Sequence, residues 1–334
     1  MKELEKSILA TLVYYDILNR PLTQWEILKC LKKVSKNQTQ VSFLEVKEAL
    51  EKDTLKKLID SQNGFYFLKN RFDLVEERIK RQKISEEKMK LAKKISFFLQ
   101  MVPYLRMVAI SGSLAFGNGR QESDIDLLIA VKKGRIWLTR ILITALTQLA
   151  GRRRHGNKNQ DGICLNHYLS DDNLKIDYHS LYNAQTYIHL IPLIDKENTF
   201  LKFKQANSWI SQYLLSYPFF QKNTFNLKAI NLNPFLNFLV KLKEVGLNNF
   251  LGDSLEYLSK KWQLRHIKKT DQRRKEKSLQ LNQGPIPGRI ILDDSQLEFH
   301  PDSAESNILA KYNQKMRQMG FSEIAQEKDS GLVA

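Results

Sequence analysis

The sequence predicts an α/β (α+β) protein: a mixed strand–helix core flanked by a small helical N-terminal domain and a helical C-terminal region. Three observations lead there. Residues 100–195 alternate short apolar strands with helical stretches, which implies an α/β unit. Residues 1–75 carry three short helical patterns followed by an aromatic strand. Beyond about 195, apolar and aromatic residues recur at i, i+3 and i+4, the period of helices with one buried stripe.

The N-terminal 75 residues are read as follows. Ile8, Leu9, Leu12, Val13 and Ile17 share one helical face, and Pro21 breaks the chain. Thr23 with Glu26 forms a capping box for a second helix through Leu31. Ser42 with Glu45 repeats that signal for a third, in which Leu44, Val46, Leu50, Leu55 and Leu58 form an apolar series. Asn63-Gly64 then precedes the strand Phe65–Leu68, as at the edge of a wing. This order matches a winged helix-turn-helix plan, whose role is either to bind DNA or to act as a helical packing and dimerisation module.

Residues 76–99 form a charged connecting helix. Arg78, Lys80, Arg81, Lys83, Glu86 and Glu87 interleave in the manner of a solvated face. The core, 100–195, contains the strands Met107–Ile110, Asp124–Val131 and Gly162–Leu169, with a helix over 135–150. A helical domain is expected over 196–280. Residues 281–334 comprise a Pro/Gly linker, a short hairpin near 289–300 and a helix near 303–320.

Composition bounds the partners. The 334 residues include 53 Lys+Arg against 36 Asp+Glu, a formal net charge of +17, which favours phosphate-bearing partners such as nucleotides, RNA or DNA. The stretch 131–160 holds eight Lys/Arg and no acid, and a second basic cluster runs through 258–277. The two cysteines, Cys30 and Cys164, stand alone and read as buried free thiols in a reducing compartment. No apolar leader opens the chain, and the greasiest segment, Ile136–Ala150, falls short of a membrane span. A cytoplasmic protein, without a membrane partner and able to form a homo-oligomer, is expected.

The chemistry concentrates in Ser111-Gly112-Ser113 and Asp124-Ile125-Asp126. A buried strand ends at Gly-Ser, where the missing Cβ allows close ligand approach. The Ser113 hydroxyl and the neighbouring amides suit a triphosphate. Residues i and i+2 of a strand face the same way, so Asp124 and Asp126 project together. Two adjacent carboxylates repel unless a cation neutralises them, and Mg²⁺ (or Mn²⁺) accepts one or two carboxylates plus substrate phosphates.

The run VAISGSLAFGNGRQESDIDLLIAV resembles the nucleotidyltransferase superfamily that includes DNA polymerase β, with Gly-Ser separated by ten residues from Asp-x-Asp. The specific match covers about 110–131 and a looser one about 100–190. It implies a nucleotidyltransferase core with a mixed sheet, in which Gly112 and Ser113 hold an NTP and Asp124 and Asp126 bind metal and act catalytically. The family places a third carboxylate on the next strand, and aligning that strand puts Asn166 there. Asp171, Asp172 or Asp177 are the nearby acids available to substitute.

The expected activity is Mg²⁺-dependent transfer of a nucleoside monophosphate from an NTP to a hydroxyl of RNA, protein or a small molecule. The alternative is a catalytically degenerate regulator or antitoxin-like protein acting on DNA or a partner through its winged helix. His155 and His167 are read as polar structural residues. Arg135 and Arg140 are helix-face charges or phosphate contacts.

Overall fold

The computed structural model describes residues 1–151, 162–222, 229, 233–280, 289–300 and 303–330. The fold is mixed α/β, built on two sheets. The basic residues Arg152–Arg154, His155 and the linker 281–288 lie outside the described residues.

The N-terminal region contains α1 (Glu3–Ile17), β1 (Leu22–Thr23), α2 (Gln24–Lys29), α3 (Phe43–Leu50), α4 (Asp53–Lys56), β2 (Ile59–Gln62) and β3 (Phe65–Leu68). Both expected capping boxes form: Thr23 accepts from the Glu26 amide, and Ser42 from the Glu45 amide. The strands make a three-stranded antiparallel sheet in the order β1-β3-β2, and β2 turns into β3 at Asn63-Gly64, both at positive φ. The third helix is shorter than its apolar series suggests. It ends at Leu50, α4 starts afresh at Asp53, and Leu44 points to solvent.

The 27-residue helix α5 (Asp73–Leu99) leads into the larger sheet. Its strands are β4 (Leu105–Ile110), β5 (Ile125–Val131), β6 (Ile163–Ser170), β7 (Ile191–Asp195), β8 (Arg289–Leu292) and β9 (Gln296–His300). The order is β7-β4-β5-β6-β9-β8; β5 and β6 run parallel and every other pair antiparallel, so the sheet is mixed. Two strand relationships lie beyond the sequence reading. β7 is a fourth core strand whose Pro192 is tolerated because β7 is an edge. The C-terminal hairpin β8–β9 extends the central sheet by pairing with β6.

Between these strands lie α6 (Gly112–Ala115), α7 (Ile136–Leu149), α8 (Leu181–Tyr187), α9 (Thr199–Ala206) and α10 (Tyr217–Lys222), followed by α11 (Pro234–Gly246), α12 (Phe250–Gln280) and α13 (Glu305–Gln318). One face of the sheet packs with Ile95, Leu99, Trp137 and Ile143 of α5 and α7. A second apolar cluster joins Met107, Ala109, Leu128 and Ala130 to α8, α9 and α13, and continues into α1–α4. The N-terminal region therefore shares its core with the C-terminal helix α13. Among the described residues, no helix is long and apolar enough to cross a membrane.

Candidate active site

The site lies where β4 ends and β5 begins. The Ser111 amide donates to the Asp126 carbonyl at 3.0 Å, which locks the end of β4 against the start of β5. Gly112 follows with φ +63°, a conformation that costs an L-residue about 1–2 kcal/mol. A Cβ built on Gly112 would stand 2.5 Å from Asp126 Oδ2. The glycine thus makes room for the carboxylate that the neighbouring strand presents.

Asp124 just precedes β5 and Asp126 is its second residue, so the i, i+2 rule brings the two side chains to the same side. The third member of the cluster is Cys164. One donor atom each of Asp124, Asp126 and Cys164 lie within 4.8 Å of one another. Parallel pairing explains this, because Asp126 is the register partner of Cys164.

Asn166 was expected at the third-carboxylate position. The β5–β6 register shifts just beyond Asp126, and Leu128 faces His167. Three residues of β6 thus span two of β5, Leu165 and Asn166 fall in the irregularity, and Cys164 takes the place beside Asp126. The expectation that Cys164 stands alone is corrected accordingly, although it remains free of any disulfide.

Among the described residues, none of the alternative acids belongs to the three-residue cluster. Asp171 and Asp172 follow the far end of β6, where Val131 pairs with Ser170. Seven and eight residues on from Cys164, at roughly 3.3 Å per residue they lie more than about 20 Å along the strand from it. There Asp171 accepts from the Lys133 amide and Asp172 pairs with Lys133 Nζ, each at 2.9 Å. Asp177 is exposed, with Lys175 Nζ 3.6 Å away.

The loop from Gly-Ser to Asp-x-Asp is held from outside the motif by one stripe of α5, two members of which, Arg78 and Arg81, the charge pattern places on a solvated face. Arg78, Arg81, Ser85 and Lys88 recur at i, i+3, i+7 and i+10 along α5, and all four are buried. Arg78 donates to the Phe116 carbonyl at 3.3 Å, and Arg81 donates to Asn118 Oδ1 at 3.0 Å. Ser85 Oγ accepts from the Gly119 amide at 2.9 Å. Lys88 Nζ donates to the carbonyls of Gln121 and Ser123 at 3.0 and 2.8 Å. The signal was the spacing of the stripe, masked by the exposed Lys80, Lys83, Glu86 and Glu87 between its members.

The N-terminal region reaches the same loop. Asn118 Nδ2 donates to the Leu18 carbonyl at 3.0 Å. Glu26 Oε1 accepts from both Arg20 and Arg78, at 2.6 and 2.9 Å, and the Arg20 guanidinium lies over the Phe116 ring.

Gly112 and Ser113 also wall a cavity of about 180 Å³, together with Tyr14 and Tyr15 of α1, Phe116, and Tyr182 of α8. Burial pushes the Tyr182 phenol up to about 12, and the carboxylates of Asp126 and Glu305 add to the rise. The Asp126 charge is thus felt inside the cavity region.

His167 is a buried structural group, as expected. Its Nε2 lies 3.3 Å from Gln296 Nε2 and 3.9 Å from Glu298 Oε2. Burial, with a further contribution from the Arg289 charge, lowers it to about 3, so the ring is neutral at physiological pH. Arg135 pairs with Asp253 at 2.6 Å, and Arg140 donates to Gln263 and lies over Phe299. Both anchor α12 to α7.

A divalent cation fits the three-residue cluster on two counts. The three donor atoms converge within 4.8 Å of one another where Gly112 leaves room for the Asp126 carboxylate, and the donor set combines hard carboxylate oxygens with a softer sulfur. No family model, curated protein or solved structure matches the chain.

Proposed function

We propose that this protein is a divalent-metal-dependent nucleotidyltransferase that moves a nucleoside monophosphate from an NTP to a hydroxyl acceptor. The observation that carries the reading is the convergence of Asp124, Asp126 and Cys164 beside the Gly112–Ser113 turn. The resemblance of residues 110–131 to the polymerase β superfamily supplies the reaction class.

Asp124 and Asp126 would hold the cation, with Cys164 as third donor. Bound there, the metal supplies charge to polarise the α-phosphate and steady the departing pyrophosphate. The chain's own contribution is positional. Gly112 permits close approach of the phosphates, and Ser113 offers a hydroxyl at the wall of the cavity. Arg78, Arg81, Ser85 and Lys88 fix the loop that sets Ser113 against Asp124. The cations Mg²⁺ and Mn²⁺ both suit two carboxylates, and the sulfur of Cys164 shifts the preference towards the softer Mn²⁺. The net charge of +17 favours a polyanionic acceptor, with RNA first among the candidates.

A second reading, a regulator that binds nucleotide without turnover, is favoured by one fact: the third metal position carries Cys164 where the family has a carboxylate. Its DNA-binding form gains less support. The helix that a winged helix-turn-helix would insert into a groove, α3, exposes Glu45 and Glu48 against a single Lys47.

The test is incubation of the purified chain with labelled NTPs, Mg²⁺ or Mn²⁺, and total RNA and protein. Label entering a macromolecule, and lost in the Asp124→Ala/Asp126→Ala variant, establishes transfer and shows the acceptor class. Nucleotide binding without transfer establishes the regulator. Unchanged metal-dependent binding in the double variant overturns the site.

A further inference from the structure

The helices α11 and α12 are amphipathic in the wrong sense for a chain that stands alone. α12 meets α7 with polar groups. Glu256 accepts from the Trp137 and Leu138 amides at 2.9 and 2.8 Å, which caps the otherwise uncapped start of α7. One face further along, Gln263 donates to the Trp137 carbonyl at 2.8 Å, and Ser259 is buried between them. α11 is attached in the same way. Glu244 receives both guanidinium nitrogens of Arg106 at 3.0 Å and the Tyr104 amide at 2.6 Å, beside the buried Val240.

The apolar residues of both helices lie elsewhere. On α11, Phe235, Phe238, Leu242 and Val245 follow i, i+3, i+7 and i+10, on the side opposite Val240 and Glu244. On α12, Leu251, Leu255, Leu258 and Trp262 follow i, i+4, i+7 and i+11, rotated away from Glu256 and Gln263. All eight are exposed, Val245 to 76% and Phe235 to 66%. The spacing in each helix is that of a coiled-coil seam, and no charge interrupts either stripe.

Aromatic side chains offer about 150–250 Å² each. At 58–66% exposure Phe235, Phe238 and Trp262 present roughly 400 Å², and the five aliphatic residues, 43–76% exposed, add a comparable area. A stable protein–protein interface of standard size buries about 800 Å² per partner. Lone apolar residues on a surface need no explanation, whereas two seams of this extent on consecutive helices are rare on a monomer.

We infer that α11 and α12 form the dimerisation surface of this protein, and that their partner is the same helix pair of a second copy. Paired two-fold, the helices complete a four-helix arrangement in which each seam finds another of its own kind. The uncharged seam and its area, sufficient for a self-complementary interface, favour a second copy over a charged partner. The inference is independent of the proposed chemistry, since α11 and α12 contribute nothing to the Asp124–Asp126–Cys164 cluster.

The experiment is light scattering coupled to size exclusion on the full chain, with Leu242→Glu and Leu258→Glu as variants. Both positions face solvent, so the fold should persist, and thermal unfolding with circular dichroism checks that it does. The expected result is a wild-type mass twice the 39.0 kDa of one chain, and monomers for both variants. A monomeric wild type overturns the inference, as does a dimer that both variants retain. Flotation with phosphatidylserine/phosphatidylcholine vesicles separates the remaining occupant: a monomer that floats through these residues would assign the face to a lipid surface instead.

Discussion

A Cβ placed on Gly112 would stand 2.5 Å from the Oδ2 atom of Asp126, so the conformation of one residue governs the position of the other. Gly112→Ala therefore combines a positive-φ cost of about 1–2 kcal/mol with displacement of a proposed metal ligand. Gly134 separates the two effects, because it also has positive φ (+69°) but open space at the Cβ position. Both alanine variants should lose stability in urea unfolding, Gly112→Ala at least as much as Gly134→Ala. Only Gly112→Ala should lose nucleotidyl transfer, by on the order of 100-fold, the scale on which small misplacements act. Equal activity in the two variants would remove Asp126 from the site.

Cys164 makes the cluster softer than a set of carboxylates. Titration with Co²⁺ should give a near-ultraviolet thiolate-to-metal charge-transfer band in the wild type that Cys164→Ser lacks. Cys164→Asp should raise affinity for Mg²⁺ relative to Mn²⁺, which competition titration reads directly. A Co²⁺ spectrum that is the same with and without the thiol would take Cys164 out of the coordination shell.

Lys88 donates to two carbonyls of the loop that carries Asp124. Lys88→Met keeps the aliphatic stem and leaves those carbonyls without their charged donor, a loss of about 1.5–3 kcal/mol. Lys83→Met, at an exposed position of the same helix, should change stability by less than about 0.5 kcal/mol. Nucleotide affinity should fall in the first variant alone. Matching affinities would mean that the loop holds its shape without α5.

These residues also show what a linear sequence can reveal. Gly112, Ser113, Asp124 and Asp126 were legible because strand, turn and strand are consecutive and each constraint is local. Cys164 was not. Its place beside Asp126 depends on the parallel register of β5 and β6 and on the irregularity at Leu165–Asn166, neither of which periodicity encodes. The Arg78–Lys88 stripe was hidden by its composition, since mixed charge usually marks solvent, and only the loop packed against it makes the stripe interior. The pairing of β9 with β6 joins residues more than a hundred positions apart, such as Tyr168 and Leu297. The apolar series through Leu58 predicts a longer third helix, whereas α3 ends at Leu50 and α4 starts at Asp53.

Burial of His167 has a consequence for acid stability. Its imidazole is lowered from 6.5 to about 3 in the folded protein, so between those values the unfolded chain takes up a proton that the folded chain does not. Unfolding is then favoured as the pH falls from 6.5, and the group makes no difference above it. His189 acts in the same direction, since burial first, and then the charges of Lys29 and Arg20, lower it as well. At pH 5 the His167 contribution amounts to about 2 kcal/mol of lost stability relative to pH 7. Urea unfolding at both pH values should therefore show a smaller acid-induced loss in His167→Gln than in the wild type, by about that amount. Parallel losses in the two proteins would mean that His167 is protonated in the folded state, with Glu298, 3.9 Å away, as its counter-ion.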